Sequence, residues 1–420
     1  MHNGRVSKQE KYDLIVIGGG ASGMIASGRA AALGKRVLLI EKNRFLGAKL
    51  KITGGGRCNI TNATYDTRLM LSNYGEAADF LFSPFSVFGV KDTFEFFEFL
   101  GLPLVVQANN RAFPNTENAL DVVRVLTNYM QKGKVEIKLD SAVEQILQAK
   151  GEITGILAGG KEYFAKNYIL ATGGASHPET GSTGDGFSWL RNLGHTVKAP
   201  TPTIVPLNTK EEWNHILSGN SLVDGKITFY LDDKKQFAKK GKILFTHFGL
   251  SGPLILNSAS EVGDLLQAGA VTGKIDCYPT EDIGTLDKVI VKTFESHKNK
   301  SLKNTLKEIV PAGMAPGIAS LLKDLNLDIK VNSITKEERR KIVFILKNLP
   351  ITVTGLGGFD RAVVADGGVL LSEIDTKTMR SKLISNLFVT GDLLHINRPS
   401  GGYSLQLCWT TGFVAGSSTQ

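Results

Sequence analysis

Positions 53–62 read Thr-Gly-Gly-Gly-Arg-Cys-Asn-Ile-Thr-Asn: three bare backbone units, then at once a guanidinium, a thiol and an amide. Glycines in series weaken any helix or strand, because each loses backbone entropy and adds no side chain to pack. The run reads as a loop whose N–H groups can bond the oxygens of an anionic ligand. Lys49 and Arg57 bring positive charge to the same stretch. Upstream, Gly18, Gly20 and Gly23 meet the pattern G-x-G-x-x-G, with Ala21 and Ser22 inside it, and Glu41 follows Gly18 by twenty-three residues. That combination suits a dinucleotide. The first glycine permits a tight turn, the second lets the backbone approach a pyrophosphate, and the third lets helix and strand pack closely. The acid accepts hydrogen bonds from a ribose diol.

The elements that position these groups are legible. Asp13–Ile17, "DLIVI", is a short apolar run with the look of a buried parallel strand. An alanine-rich helix spans Ala21 to Leu33 and stops at Gly34, a natural C′ residue. "RVLLI", Arg36–Ile40, supplies the next strand and ends at Glu41. The helix N-terminus offers free N–H groups and partial positive charge to a phosphate. Two later segments repeat the strand-to-glycine design: Tyr168–Gly174, "YILATGG", and Asn386–Leu394, "NLFVTGDLL", which adds Asp392.

A late strand ending in Gly391-Asp392 resembles that of the flavoprotein superfamily with the glutathione-reductase type of FAD domain. There such an acid reaches the ribityl and pyrophosphate region, and simple NAD dehydrogenases lack the returning strand. Four longer motifs stand in order: "KLKITGGGRCNITN" (49–62), "ATGGASHPETGSTGDGF" (171–187), "FTHFGLSGP" (245–253) and "TGDLLHINRPSGGYSLQLCWTTGFVAG" (390–416). Together they resemble the BaiN-like, or aminoacetone-oxidase-like, family of NAD(P)/FAD-dependent oxidoreductases over essentially the whole chain. One departure is Gly-Asp at the late strand end, where the family pattern has Gly-Glu; both acids accept the same hydrogen bonds.

The resemblance implies an α/β protein: a Rossmann-like FAD-binding domain of glutathione-reductase type, interrupted by an inserted β-barrel-like and helical region. The expected segments are 1–195 and 351–420 for the FAD domain, 196–285 for the β-rich insert and 286–350 for the helical part. The implied cofactor-binding set is Gly18, Gly20, Ala21, Ser22, Gly23, Glu41, Lys42, Lys49, Gly54, Gly55, Gly56, Arg57, Cys58, Asn59, Val143, Ala171, Thr172, Gly173, Gly391, Asp392, Gly401, Gly402 and Tyr403. In related flavoproteins the helix after Ser400-Gly401-Gly402-Tyr403 points its amides at the pyrimidine edge of the flavin. With no second G-x-G-x-x-G unit, NADPH or NADH is expected only as a transient electron donor.

Other residues are weighed against blander roles. Three well-separated cysteines, Cys58, Cys277 and Cys408, contain no CxxC pair, so Cys58 reads as a packed thiol. His177, His395 and Arg398 sit in loops near strand ends and could serve as acid, base or anchor; no catalytic residue is assigned. No cluster has metal spacing. Tyr403, at a helix start, reads as structural before it reads as a proton donor.

With 420 residues, two or three domains are expected. An N-terminus without an apolar core, and no stretch of about twenty apolar residues, lead to the expectation of a soluble cytoplasmic protein. The leading functional expectation is an NAD(P)H-dependent flavin reductase that passes hydride through flavin N5 to an activated double bond of a small organic substrate. A second is an oxidase of small amines or amino acids that makes peroxide. A third, an FAD protein that binds or modifies RNA, rests on the net charge of +9 and the lysine stretches at 234–242 and 336–347. A flavin-bearing protein without catalysis is a further reading.

Overall fold

The computed structural model describes residues 12–419. Residues 1–11, where the sequence suggests no targeting segment, lie outside the described residues. In chain order the elements around the glycine motif are β1 (Tyr12–Ile17), α1 (Ala21–Ala32), β2 (Val37–Ile40), β3 (Thr61–Asn62), α2 (Ala119–Lys132), β4 (Glu136–Lys138), β5 (Ala165–Leu170), α3 (Asp185–Asn192), β6 (Leu387–Val389) and α4 (Tyr403–Ser418).

Five of these strands form one parallel sheet in the order β6-β5-β1-β2-β4, so β5 joins the C-terminal strand β6 to the N-terminal strand β1. Their apolar residues are buried on both faces, as in Leu14, Ile15, Val16 and Leu38–Ile40, which explains the unbroken hydrophobic runs. Helix α1 is held at backbone distance on two sides. A Cβ at Gly28 would fall 2.3 Å from the Tyr129 ring of α2, and Cβ atoms at Gly412 and Gly416 of α4 would fall 2.5 and 2.4 Å from the Ser22 and Ala26 carbonyls. The C-terminal helix therefore rests directly on the helix that follows the glycine turn.

A buried polar relay pins the return of the chain to this sheet. Ser381 Oγ accepts the Leu383 and Ile384 amides and donates to His195 Nε2 at 2.9 Å. His195 Nδ1 in turn donates to Glu373 at 2.8 Å, and Glu373 also accepts the Thr196 amide. The order serine, histidine, carboxylate resembles a nucleophile set, but the histidine side chain is wholly buried and the serine oxygen already holds two amides. It is a clasp. Burial pushes the Glu373 carboxyl pKa up, yet the bonds from Thr196 and His195 outweigh this and hold it below its ordinary value of 4.5. Its contribution is therefore complete above pH 4.5 and is lost as the pH falls from there through the folded-state value. Glu373→Gln is expected to cost about 1–3 kcal/mol at pH 7 and much less at strongly acid pH; urea unfolding at both pH values measures the difference.

The chain divides into two compact units, one running to Pro202 and resuming at Val363, the other Thr203–Ala362. The second contains a closed antiparallel barrel in the order Leu207–Thr209, Gly249–Ser251, Lys234–Thr246, Ser221–Leu231, Val271–Asp276, Leu349–Leu356. Ile227, Phe229, Ile243, Phe245 and Ile275 fill it. Its longest hairpin turns at Asp232-Asp233, both with positive φ, the two-residue geometry that matches strand twist. The lysines of 234–242 lie on this hairpin, where exposed residues alternate with half-buried ones. They are a solvated face.

Four helices within 283–347 follow, and Lys336–Lys347 begins at the expected capping box: Thr335 Oγ1 accepts the Glu338 amide at 3.2 Å, and Glu338 accepts the Thr335 amide at 2.8 Å. Thr335→Ala is expected to lower the unfolding free energy of this unit by about 1 kcal/mol, readable by thermal denaturation. Two segments fall differently from the sequence boundaries. Val197–Pro202 pairs with Ala365–Val369 in the first unit, and Leu349–Leu356 completes the barrel. Prolines at 200 and 202 hide the former as a strand, since proline cannot donate to a ladder. Among the described residues no helix is long and apolar enough to cross a membrane.

Candidate active site

Two adjoining cavities, of about 440 and 870 Å³, open at the carboxyl ends of β1, β2 and β5 and share Gly18, Glu41, Thr172 and Gly181 in their walls. This is where ligands of open parallel sheets bind. The turn from β1 into α1 forms the floor. A Cβ at Gly18 would lie 2.5 Å from the Ala171 carbonyl oxygen, and one at Gly23 only 1.9 Å from that of Gly18, whereas one at Gly20 would meet nothing within 4 Å. The first and third glycines thus serve close packing; the second leaves open floor. The helix ladder starts with Met24 N–H donating to Gly20, so the amides of Ala21, Ser22 and Gly23 precede it.

Glu41, buried at the end of β2, accepts the Gly19 amide at 2.7 Å through Oε2 and the Asn43 amide at 2.8 Å through Oε1. It fixes the turn and still faces both cavities. The smaller cavity is completed by Val143, Ser141 and Trp189. An open floor with amides ahead of a helix, an acid at the next strand end and an apolar slot beyond it fit a dinucleotide.

At the far end of the larger cavity, Lys49 donates to Ser176 at 3.0 Å. Burial pushes the Lys49 ammonium pKa down, and the Asp392 carboxylate opposes that shift. Asp392 is ion-paired to Arg398, whose side chain is 1% exposed and also donates to Ser404 Oγ and the Ile396 carbonyl. Arg398 is therefore an internal strut. Cys408 lines the same wall, its thiol pushed up to about 12 by burial, and stays protonated.

The glycine run occupies a different place. Gly54, Gly55 and Gly56 have φ of +58°, +68° and +84°, and Cβ atoms at Gly55 and Gly56 would meet nothing within 4 Å. What those two positions demand is left-handed backbone, not clearance from a neighbour. Arg57 lies over the Phe113 ring and donates to Gln107. Cys58 is buried and its thiol is pushed up to about 12, so it is no thiolate. The Asn59 side-chain amide donates to the Ala112 and Thr61 carbonyls and accepts the Gly402 amide at 3.0 Å. A Cβ at Gly402 would fall 2.2 Å from the Thr61 carbonyl carbon, and Asn62 donates to the Gly401 carbonyl. The run is thus the approach to β3, which is sewn to the start of α4. Tyr403 sits there with its carbonyl accepting the Tyr74 hydroxyl.

Gly18, Gly20, Ala21, Ser22, Glu41, Lys42, Lys49, Val143, Ala171, Thr172, Gly173 and Asp392 line the cavities. Gly23 lies behind Gly18, and Gly391 behind Ser22 and Cys408. Gly54 to Asn59 and Gly401 to Tyr403 line neither cavity; Asn59, Gly401 and Gly402 gather instead at the β3–α4 contact. His177 pairs with Glu179 in its own loop, and His395 lies 3.3 Å from Asp366. Sequence reading missed Asn43, Thr180, Ser182, Thr183, Asp185, Trp189, Ser404, Leu405 and Cys408. The loop among them falls within the 171–187 motif, but its side chains were not singled out. Among the described residues no group of acids, histidines or cysteines could hold a metal ion.

Fold and site define a Rossmann-type dinucleotide-binding protein whose groove is walled by both ends of the chain. Residues 12–418 match the HI0933-like protein Rossmann domain, and the chain belongs to that family. It is 29% identical to the 3-dehydro-bile acid delta(4,6)-reductase of Clostridium scindens, covering 96% of this chain and 97% of the relative. It is 26% identical to the ribosomal RNA dihydrouridine synthase of Escherichia coli, again over 96% and 97% of the two chains. The crystal structure of the 3-ketosteroid-delta4-(5alpha)-dehydrogenase of Rhodococcus jostii shares the fold with a TM-score of 0.54 at 15% identity, covering 99% of this chain and 98% of that one.

Proposed function

We propose that this chain is an FAD-dependent oxidoreductase that saturates a carbon–carbon double bond conjugated to a carbonyl group. The observation that carries the proposal is the continuous groove from the Val143–Trp189 slot, over the bare floor at Gly20, to the Lys49–Asp392 wall. When bound, FAD supplies a site at flavin N5 that takes up and gives out two electrons as hydride. The amides of Ala21 to Gly23 hold the diphosphate, Glu41 the ribose and Asp392 a ribityl hydroxyl. Lys49 lines the larger cavity, where its ammonium would offset negative charge on a reduced flavin. Asn59, Gly402 and Tyr403 set the start of α4, which brings Ser404, Leu405 and Cys408 to the wall of the larger cavity.

The reaction class is supported by two relatives that match almost end to end. One name states a reduction at double bonds of a 3-dehydro bile acid; the other states formation of dihydrouridine, a uracil with its ring double bond saturated. Both bonds are conjugated to a carbonyl. A small organic enone is the first substrate class, with NADPH or NADH as the donor. Uridine in RNA is the second, favoured by the dihydrouridine synthase relative and the net charge of +9. Anaerobic mixing with NADPH, NADH and small amines tests the donor through flavin bleaching, and reoxidation by enones or by RNA tests the acceptor. Bleaching by amines alone, with peroxide formed in air, would replace the reductase by an oxidase.

A further inference from the structure

We propose that Pro178–Asp185 is a strap fastened across the dinucleotide groove by Lys42, and that opening this strap sets how fast the cofactor enters and leaves. The inference rests on the FAD reading above. The groove has two walls where its two cavities meet. One is the end of β2 with Glu41, Lys42 and Asn43; the other is the loop after β5 that runs into α3. Three hydrogen bonds join them: Lys42 Nζ to Asp185 at 2.8 Å, Lys42 Nζ to Thr183 Oγ1 at 2.6 Å, and Asn43 Nδ2 to the Thr180 carbonyl at 3.0 Å. Gly181 presses on Asn43 so closely that a Cβ there would fall 2.6 Å from Nδ2.

The junction lies where the two cavities meet, since Gly181 and Glu41 border both. A dinucleotide long enough to occupy both cavities would cross this junction. It can pass only when these bonds part. Lys42 is thus spent on the strap, and its side chain and that of Asp185 are 29% and 44% exposed, so the ion pair is open to salt. The glycines at 181 and 184, with φ of +97° and +83°, are the bends that let the loop lie flat against the other wall.

The sign of the Asp185 effect separates a strap from a direct ligand contact. Asp185 is negative, as is the diphosphate, so neutralising it on Coulomb grounds alone tightens binding and slows release. A strap predicts the reverse. In holoprotein diluted into flavin-free buffer, release is followed by flavin fluorescence, and uptake by its quenching on adding FAD to stripped protein. Lys42→Met and Asp185→Asn should each speed release and uptake together by about fivefold, the equivalent of ~1 kcal/mol. The double variant should do no more than either single one. Release from the unaltered protein should rise with salt, and that dependence should vanish in both variants. Thr183→Val, a milder change, should speed both rates about twofold if the charged variants fold poorly. Slower release in Asp185→Asn, or unchanged rates in all variants, overturns the strap. A chain that takes up no FAD at all instead overturns the function proposed above.

Discussion

Gly23→Val is expected to give protein that does not reach the native fold, while Gly20→Val is expected to fold and lose its flavin. The two positions lie three residues apart in one motif, yet their surroundings are opposite. A Cβ at Gly23 would sit 1.9 Å from the Gly18 carbonyl oxygen and 3.3 Å from the Ala171 side chain. The Gly18 backbone lies on one side and the Ala171 Cβ on the other, and neither can turn aside, so no rotamer relieves the clash and α1 must leave the sheet. Because α4 rests on α1 through Gly412 and Gly416, the C-terminal helix loses its seat as well. At Gly20 nothing lies within 4 Å, and φ is −85°, a value any residue accepts. The valine then stands on the open floor and denies the diphosphate its approach to the amides. Charge-assisted bonds of about 1.5–3 kcal/mol each are lost, so flavin affinity should fall about 100-fold or more. Circular dichroism and urea unfolding of flavin-free protein, beside flavin titration, measure both outcomes. A soluble, flavin-binding Gly23→Val protein would contradict the packing described.

Asp392→Ala is expected to destabilise the flavin-free protein by about 3–5 kcal/mol, as removal of one partner of a buried ion pair does. Arg398 has 1% of its side chain exposed, and among the described residues Asp392 is its only ion-pair partner, both lying in the loop between β6 and α4. The bonds to Ser404 and the Ile396 carbonyl remain, but they do not neutralise the guanidinium. Arg398→Met leaves Asp392 unpaired instead; that carboxylate is 15% exposed at a cavity wall and reaches solvent more easily. Its cost should be smaller. The double variant should regain most of the loss, because two neutral residues leave no buried charge. Urea unfolding of all four proteins completes the cycle. Equal and additive losses would mean that the pair is not coupled.

The sequence carried much of this, for local reasons. The β1 turn, α1, its stop at Gly34 and the acid at the end of β2 form one unbroken stretch, and each depends on its neighbours in sequence. The Thr335–Glu338 box is local too, and it stands as expected. Arg57 and Lys42 were less legible. Arg57 follows the glycine run, where its charge suggested an anionic ligand, and Lys42 follows Glu41 and belongs to the implied cofactor-binding set. Arg57 is instead drawn over Phe113 and to Gln107, and Lys42 to Thr183 and Asp185, partners about 50 to 140 residues away. Arg398 and the Glu373–His195–Ser381 relay likewise depend on groups that meet only after folding.

By itself the sequence determined the family, the two-segment Rossmann architecture with its barrel insert, and the floor of the dinucleotide groove. These follow from residue type and near spacing: glycine where backbone must approach backbone, apolar runs where strands are buried on both faces. Only the tertiary structure decided which polar side chains face the groove and which hold its walls together. A charged side chain takes whatever partner the fold brings within reach, and that distance is set by chain segments far apart in sequence.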